Sequence, residues 1–162
     1  MTTVIYPPNL VLVQGVSIFL AGPIQGAPDW HSKAISIFQD YPISNLTIAC
    51  PKVANWDNHT FTQQVDWESQ FLASASRRGC IMFWLAKEET HNPDRAYAQT
   101  SRFELAEWLT KSPHSVVVGI EAGFSGAKYL YYRIGDMGGT IYRTLEETCK
   151  AALNNALDVP NV

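Results

Sequence analysis

Cysteine is scarce in this sequence, and its spacing excludes two classes of protein. The three cysteines, Cys50, Cys80 and Cys149, lie far apart, with no Cys-x-x-Cys pair and no cluster of cysteine with histidine. Zinc sites and the disulfide frameworks of small secreted proteins both need such clustering. We therefore expect no metal site and a reducing, cytoplasmic compartment. Cys80 begins an apolar run, so we interpret it as a core residue.

Clusters of basic residues and long apolar stretches are also missing. The formal net charge is only −3, and no run of Lys and Arg occurs. This argues against nucleic acid as a partner, because binding to a phosphate backbone needs clustered positive charge. No apolar stretch approaches the roughly 20 residues of a membrane-spanning helix, and the first residues lack the basic flank and cleavage site of a signal peptide. We therefore expect a soluble protein with no membrane partner.

An alternation of short apolar runs and helical patterns fills the sequence. Its 162 residues are 46% hydrophobic and 17% charged, which suits one domain with a substantial core. The predicted strands are residues 16–20, 46–49, 80–85, 115–120 and 140–143. The predicted helices are residues 30–39, 61–76, 102–110 and 127–134, and a last helix that opens at the capping box Thr144-Leu145-Glu146-Glu147. The pattern predicts one α/β domain over residues 1–162, a doubly wound, five-stranded parallel sheet in three α/β/α layers.

The loop after the first strand is a candidate site, because ligands of such sheets bind at the carboxyl ends of strands. It has no Gly-x-Gly-x-x-Gly fingerprint and no Walker lysine, which argues against a dinucleotide or a triphosphate. Gly22 and Pro23 could bring the backbone close to a ligand. Gln25 offers a donor and an acceptor, and Trp30 could stack on a base. The alternative is a tight turn in which Asp29 caps the next helix and Trp30 packs in the core.

The helix predicted over residues 61–76 carries two acidic side chains on different faces. At about 100° per residue, Glu68 shares a face with Gln64 and Leu72, whereas Asp66 lies far round from them. We predict that Glu68 projects over the edge of the sheet and that Asp66 faces water. Most helical glutamates are simply solvated, so this segment alone does not assign a role to Glu68.

Glu104 lies at the start of the helix that follows the predicted central strand. If Ser101 is the N-cap, Glu104 falls in the first turn, where the positive end of the helix favours an ionised carboxylate. Such a carboxylate could act as a nucleophile. The same spacing, Ser101-x-x-Glu104, is also that of a capping box, in which Glu104 bonds only the backbone. Arg102 could neutralise a substrate charge or form a surface ion pair.

At this point the sequence resembles the nucleoside 2-deoxyribosyltransferase family, in particular its deoxyribosyltransferase-like branch. The similar blocks occur in family order and cover most of residues 16–121. They are Ser17–Ile24, Asp29-Trp30, Asn55–Asp57, Gln64–Glu68, Ile81–Leu85, Arg102–Leu105 and Val116–Glu121. The chain departs from close relatives at Cys50–Val53, where Asn-Pro-Arg-Arg is expected, and in a longer loop before Glu104. Both departures bear on the substrate range.

The resemblance implies a flavodoxin-like fold and a covalent deoxyribosyl-enzyme intermediate on a glutamate. Matched by motif, the nucleophile is Glu104 and the acid that protonates the departing base is Glu68. The candidate substrate-binding residues are Gly22, Pro23, Gln25, Trp30, Asp57, Asp66 and Arg102. The implied substrates are nucleosides and nucleobases, with no cofactor. The family also implies a homo-oligomer, and Trp84, Trp108 and the cluster at residues 129–132 could supply an aromatic interface.

Three functions remain open on these residues. The first is transfer of 2-deoxyribose between nucleobases, the second is hydrolysis of a nucleoside or nucleotide by the same glutamate, and the third is nucleoside binding without catalysis. The absence of Ser and Arg from the first loop weighs against a nucleotide. The polar segment at residues 86–100 is long for a compact domain. We interpret it either as a lid that keeps water off the intermediate or as a surface excursion without a role.

Overall fold

A parallel sheet covered by helices on both faces forms the protein. The structure is a computed structural model and describes residues 2–53 and 55–158. Its strands are β1 (Thr3–Ile5), β2 (Val16–Ala21), β3 (Leu46–Ala49), β4 (Gly79–Leu85), β5 (Val116–Ile120) and β6 (Ile141–Tyr142). Its helices are α1 (Trp30–Gln39), α2 (Phe61–Arg78), α3 (Gln99–Lys111), α4 (Ala127–Asp136) and α5 (Leu145–Leu157), with a 3₁₀ turn at Pro113–Ser115.

The sheet has one strand more than the sequence pattern predicts. Its order is β1-β3-β2-β4-β5-β6, and every pair of neighbours is parallel. The last five strands thus have the 2-1-3-4-5 order of flavodoxin-like sheets. The doubly wound parallel sheet is confirmed, but five strands is wrong. The missed strand β1 has three residues, pairs only with β3 at the edge, and runs into Tyr6-Pro7-Pro8, which resembles a loop.

Two hydrophobic cores lie on the two faces of the sheet. Residues of β4 alternate between them: Met82 packs with α1 and α5 on one face, and Phe83 packs with α2 and α3 on the other. All seven residues of β4 are buried, as an uninterrupted apolar run in a central parallel strand predicts. Cys80 is fully buried in the first core, which confirms its interpretation.

Helix boundaries follow the sequence closely except at α3. Asp29 caps α1, and Thr144 with Glu147 forms the predicted capping box of α5. Helix α3, however, begins at Gln99 rather than at Arg102, with Ala98 as its N-cap. None of the helices in the described ranges is both long and apolar enough to cross a membrane.

Candidate active site

The loops that follow β2 and β4 meet at the point where the strand order reverses. Gly22 follows β2 with a φ of +151°, and a Cβ added there would lie 2.3 Å from the carbonyl oxygen of Trp84 at the end of β4. A side chain at position 22 would therefore separate the two loops. In sheets of this topology this crevice is where ligands bind, and the helices around it carry the two predicted catalytic residues.

Several residues of the loop after β2 are buried and pack within the protein. Pro23 is buried, and its carbonyl oxygen accepts a 2.8 Å hydrogen bond from Trp30 Nε1. Trp30 is only 2% exposed, and its ring stacks on His31 with the centroids 3.6 Å apart. The suggestion that Trp30 stacks on a base is therefore wrong, because both its ring and its N–H are used inside the core. Asp29 caps α1 by accepting from the backbone N–H of Ser32, as the alternative interpretation has it.

Glu104 lies on α3 beside this crevice and is partly buried. Because the helix begins at Gln99, Glu104 is in the second turn and Ser101 is a buried helical residue. The Ser101–Glu104 capping box and the first-turn position are therefore both wrong. Burial, the charge of Glu68 and the charge of Glu107 raise the pKa of Glu104 to about 8. The carboxyl group is thus held mainly protonated at neutral pH, and not ionised as a first-turn position would favour.

Glu68 lies on α2 with one carboxyl oxygen fixed by a neighbour. Gln64 Nε2 donates to Glu68 Oε1 at 2.7 Å and to the carbonyl oxygen of Pro51 at 2.9 Å. Burial raises the pKa of Glu68, while the Gln64 hydrogen bond and the charge of His59 act in the opposite direction. Gln64 and Leu72 are buried and Asp66 is exposed, so the predicted faces of this helix are confirmed.

Glu68 and Glu104 are close enough for the charge of one to raise the pKa of the other. Two interacting carboxyl groups lose their protons in two separate steps. Between those steps the pair holds one proton, with one carboxylate and one carboxylic acid. A retaining glycosyl transfer needs one group of each kind. The larger shift at Glu104 favours the proton on Glu104 in the empty site.

His59 was not singled out by the sequence, although it contacts the same group of side chains. It is 6% exposed, and its Nε2 lies 2.7 Å from Gln64 Oε1. Its Nδ1 is buried without a hydrogen-bond partner. The spacing of Gln64 and Glu68 on one helical face was visible in the sequence, but His59 precedes the helix and no periodic signal marks it.

The segment after β4 packs across the loop after β2. The backbone N–H groups of Glu89 and Thr90 donate to the carbonyl oxygen of Gly26 at 2.8 and 3.0 Å. Arg95 donates to the side-chain oxygen of Gln25. Residues 86–98 are therefore tied over the crevice by backbone and side-chain bonds, and Gln25 is occupied by Arg95.

A comparison with family models identifies the family of the chain. The family model described as nucleoside 2-deoxyribosyltransferase like matches residues 15–124. The chain belongs to this family. A search of curated proteins found no match.

The part of the chain that matches the deoxyribosyltransferase-like family contains both glutamates and all seven predicted substrate-binding residues. It runs from the start of β2 to the turn after β5, so β1 and α4 to α5 lie outside it. Within it, Asp57 and Asp66 are exposed. Arg102 donates to the carbonyl oxygen of Ser125 at 2.5 Å and lies over the ring of Phe124. Arg102 thus holds the turn after β5, and it forms no ion pair with any described residue.

A cavity of about 330 Å³ opens near the same edge of this deoxyribosyltransferase-like domain. It is lined by Tyr6, His31, Ser32, Ile35, Cys50, Lys52 and Val53. Pro51, whose carbonyl oxygen binds Gln64, lies between two of these lining residues. The described residues contain no group of three or more His, Cys, Asp or Glu side chains that could hold a metal ion.

Proposed function

We propose that the protein is a nucleoside 2-deoxyribosyltransferase that works through a covalent intermediate on Glu104. The Glu104 carboxylate attacks C1′ of the sugar while the bond from C1′ to the base breaks. Glu68 gives its proton to the departing base. A nitrogen of a second base then attacks C1′ from the vacated face, the ester bond to Glu104 breaks, and the proton released by the incoming base returns to Glu68. Two displacements give overall retention.

The observation that carries this proposal is the pair of interacting carboxyl groups at the switch point of the sheet. One of them is fixed by an amide, and the other is partly buried with no hydrogen bond to any described residue. Because the empty site favours the proton on Glu104, the reaction requires that the bound state have it on Glu68. That form carries the same single proton, so the reaction of free enzyme with substrate should fall as the pH rises through about 8, where Glu104 ionises and the pair loses its last proton.

Product analysis tests the proposal against both alternatives. The protein is incubated with a 2-deoxynucleoside, with and without a second nucleobase, and the products are separated by chromatography. A transferase forms the new nucleoside only when the second base is present. Release of free sugar at equal rates in both samples would assign a hydrolase, and an unchanged substrate that nevertheless binds would assign a binding module.

We propose further that the protein is a homo-oligomer. Phe103 on α3 and Tyr129 and Tyr132 on α4 are 72%, 68% and 75% exposed, which is unusual for large aromatic side chains. Trp84, by contrast, is 4% exposed and belongs to the core. Sedimentation at assay concentration should give at least a dimer, and a fully active monomer would contradict this.

A further inference from the structure

Three hydrogen bonds connect Gln64 with Pro51, Glu68 and His59, and together they determine which atom is the donor in each bond. Gln64 Nε2 donates to Pro51 O and to Glu68 Oε1, so its Oε1 must accept. His59 Nε2 lies 2.7 Å from that oxygen and is therefore the donor. Reversing the amide would turn its oxygen toward a carbonyl and a carboxylate, which both only accept. The imidazole is thus the Nε2–H tautomer whenever it is neutral.

The residues around His59 and Gln64 hold these two side chains in place. Thr60 and Gln63 form a complete capping box at the start of α2, directly between His59 and Gln64. The backbone N–H of His59 donates to Trp56 O at 3.2 Å, and the Trp56 ring lies 5.3 Å from the imidazole. Nδ1 is buried and has no hydrogen-bond partner in the part of the chain that the structure describes. Within that part, the hydrogen-bond contact of the imidazole ring is the one to Gln64.

One carboxyl oxygen of Glu68 is hydrogen-bonded, and the other is not bonded to any described residue. Oε1 accepts from Gln64, and Oε2 has no hydrogen-bond partner among the described residues. A proton on Glu68 therefore belongs on Oε2, because Oε1 already receives the amide hydrogen. The group facing Glu68 from α3 is Glu104. Glu104 also feels Glu107 on its own helix.

We propose that His59 and Gln64 are positioning residues, which hold the Glu68 carboxylate in place and decide how Glu68 and Glu104 divide one proton. His59 donates a hydrogen bond to the Gln64 amide and so orients it. The amide in turn donates to Glu68 and stabilises a negative charge there. That charge in turn opposes ionisation of Glu104. The relevance to catalysis rests on the proposed function, but the division of the proton does not.

Titration of the substrate-free protein tests the proposal without any assay of activity. Glutamate side chains are labelled with carbon-13 at the carboxyl carbon, and the Glu68 and Glu104 signals are assigned with Glu68→Gln and Glu104→Gln. In Gln64→Met the loss of a hydrogen bond to a charged group should increase the proton affinity of Glu68 by about tenfold. Glu104 should ionise at lower pH than in the wild type.

Three further variants separate positioning from a structural role. His59→Leu should reproduce the changes of Gln64→Met. His59→Gln keeps an N–H donor near the Nε2 position and should restore most of the wild-type titration. Gln70→Met makes the same substitution at an exposed position of α2 and should leave both signals unchanged. Circular dichroism checks that each variant is folded.

The kinetic consequence forms a second arm. If the proposed function holds, the fall in rate at high pH should occur at higher pH in Gln64→Met and His59→Leu than in the wild type or Gln70→Met, because Glu68 then holds its proton more tightly. Unchanged titration of Glu68 and Glu104 in folded Gln64→Met and His59→Leu would overturn the inference, even in an active enzyme. Altered titration in a protein that neither transfers nor hydrolyses would support the inference and reject only the proposed function.

Discussion

Glu68 and Glu104 lie on neighbouring helices at the same edge of the sheet, yet their surroundings are built in opposite ways. Helix α2, which carries Glu68, begins with a full capping box and holds its glutamate by an amide. Helix α3, which carries Glu104, begins at Gln99, and its N-cap Ala98 is in the left-handed region with a φ of +57° and no side-chain cap. Glu104 is partly buried, and its carboxyl group accepts no hydrogen bond from the residues that the structure describes.

This difference indicates how two identical side chains can take different roles. A carboxylate that accepts an amide hydrogen is stabilised as an anion, whereas burial without a donor favours the neutral acid. Within residues 2–53 and 55–158 Glu104 has no hydrogen bond to break, which suits the nucleophile of the proposed reaction. Glu68 is fixed at one oxygen, which leaves the other for the proton that the proposed reaction transfers.

Replacement of Glu104 should have the largest effect. Glu104→Gln and Glu104→Ala remove the proposed nucleophile and should lower turnover by roughly a thousandfold or more, with the fold intact. The measurement is the rate of base exchange from a deoxynucleoside. Thr110→Ala, at the exposed end of the same helix, serves as the control. Rates near that of the wild type in either Glu104 variant would refute the assignment.

Replacement of Glu68 should have the next largest effect, and one that depends on the leaving group. Glu68→Gln should slow substrates whose base needs protonation by about a hundred- to ten-thousandfold, and should slow substrates with good leaving groups much less. Asp66→Asn, two residues away on the exposed face, is the matched control and should change little. A larger effect at Asp66 than at Glu68 would mean that the wrong face of α2 was chosen.

The dependence of stability on pH should distinguish the two glutamates next. The pKa of Glu104 is raised from 4.5 to about 8, so the folded state binds this proton more tightly than the unfolded state. The free energy of unfolding should therefore fall as the pH rises from about 4.5 to about 8. Glu104→Gln cannot ionise and should escape this loss, on the order of a few kcal/mol.

Chemical denaturation at pH 5 and pH 9 measures this difference. The wild type should lose stability relative to Glu104→Gln between the two pH values. The Glu68→Gln variant should show a smaller loss than the wild type, because one of the charges that oppose ionisation of Glu104 is removed. If the free energy of unfolding changes with pH by the same amount in the wild type and in Glu104→Gln, Glu104 titrates normally. The contrast drawn between the surroundings of Glu68 and Glu104 would then be wrong.

How far the sequence predicts this site differs between the two helices. The period of α2 correctly separates Glu68 and Gln64 from Asp66, because a long helix with a clear apolar face has a well-defined phase. For α3 the cap was misplaced at Ser101. The helix begins at Gln99, its N-cap Ala98 is a residue type without capping preference, and the preceding Tyr97 is anchored by its hydroxyl to Ala86 O at 2.7 Å. That contact is tertiary and leaves no local signal.

The same distinction applies to the fold. Buried strands with continuous apolar runs, such as β4, were predicted within a residue, whereas β1 was missed because its pairing with β3 is nonlocal. Trp30 shows the limit for individual side chains. An aromatic residue after a glycine-rich loop fits both a base-stacking site and a core position, and only the bond to Pro23 O decides between them. His59 joins the site through a contact before α2 that no sequence period encodes.

The smallest expected effect concerns the segment that leads from β4 to the uncapped α3. Residues 86–98 are held over the crevice by Arg95, which binds Gln25, and by two backbone bonds to Gly26 O. A hydrogen bond contributes about 1 kcal/mol net, so Arg95→Met should increase opening of this segment about fivefold. Water should then compete better for the glycosyl ester, and the ratio of hydrolysis to transfer should rise severalfold.

Gly26→Ala should act in the same direction, because its φ is +80° and an added Cβ would lie 2.8 Å from Thr90 O. The exposed neighbour Asp94 provides the control, Asp94→Asn. If the ratio of free sugar to exchanged nucleoside is unchanged in folded, active Arg95→Met and Gly26→Ala, the segment does not exclude water. The burial of Glu104 must then come from α3 itself.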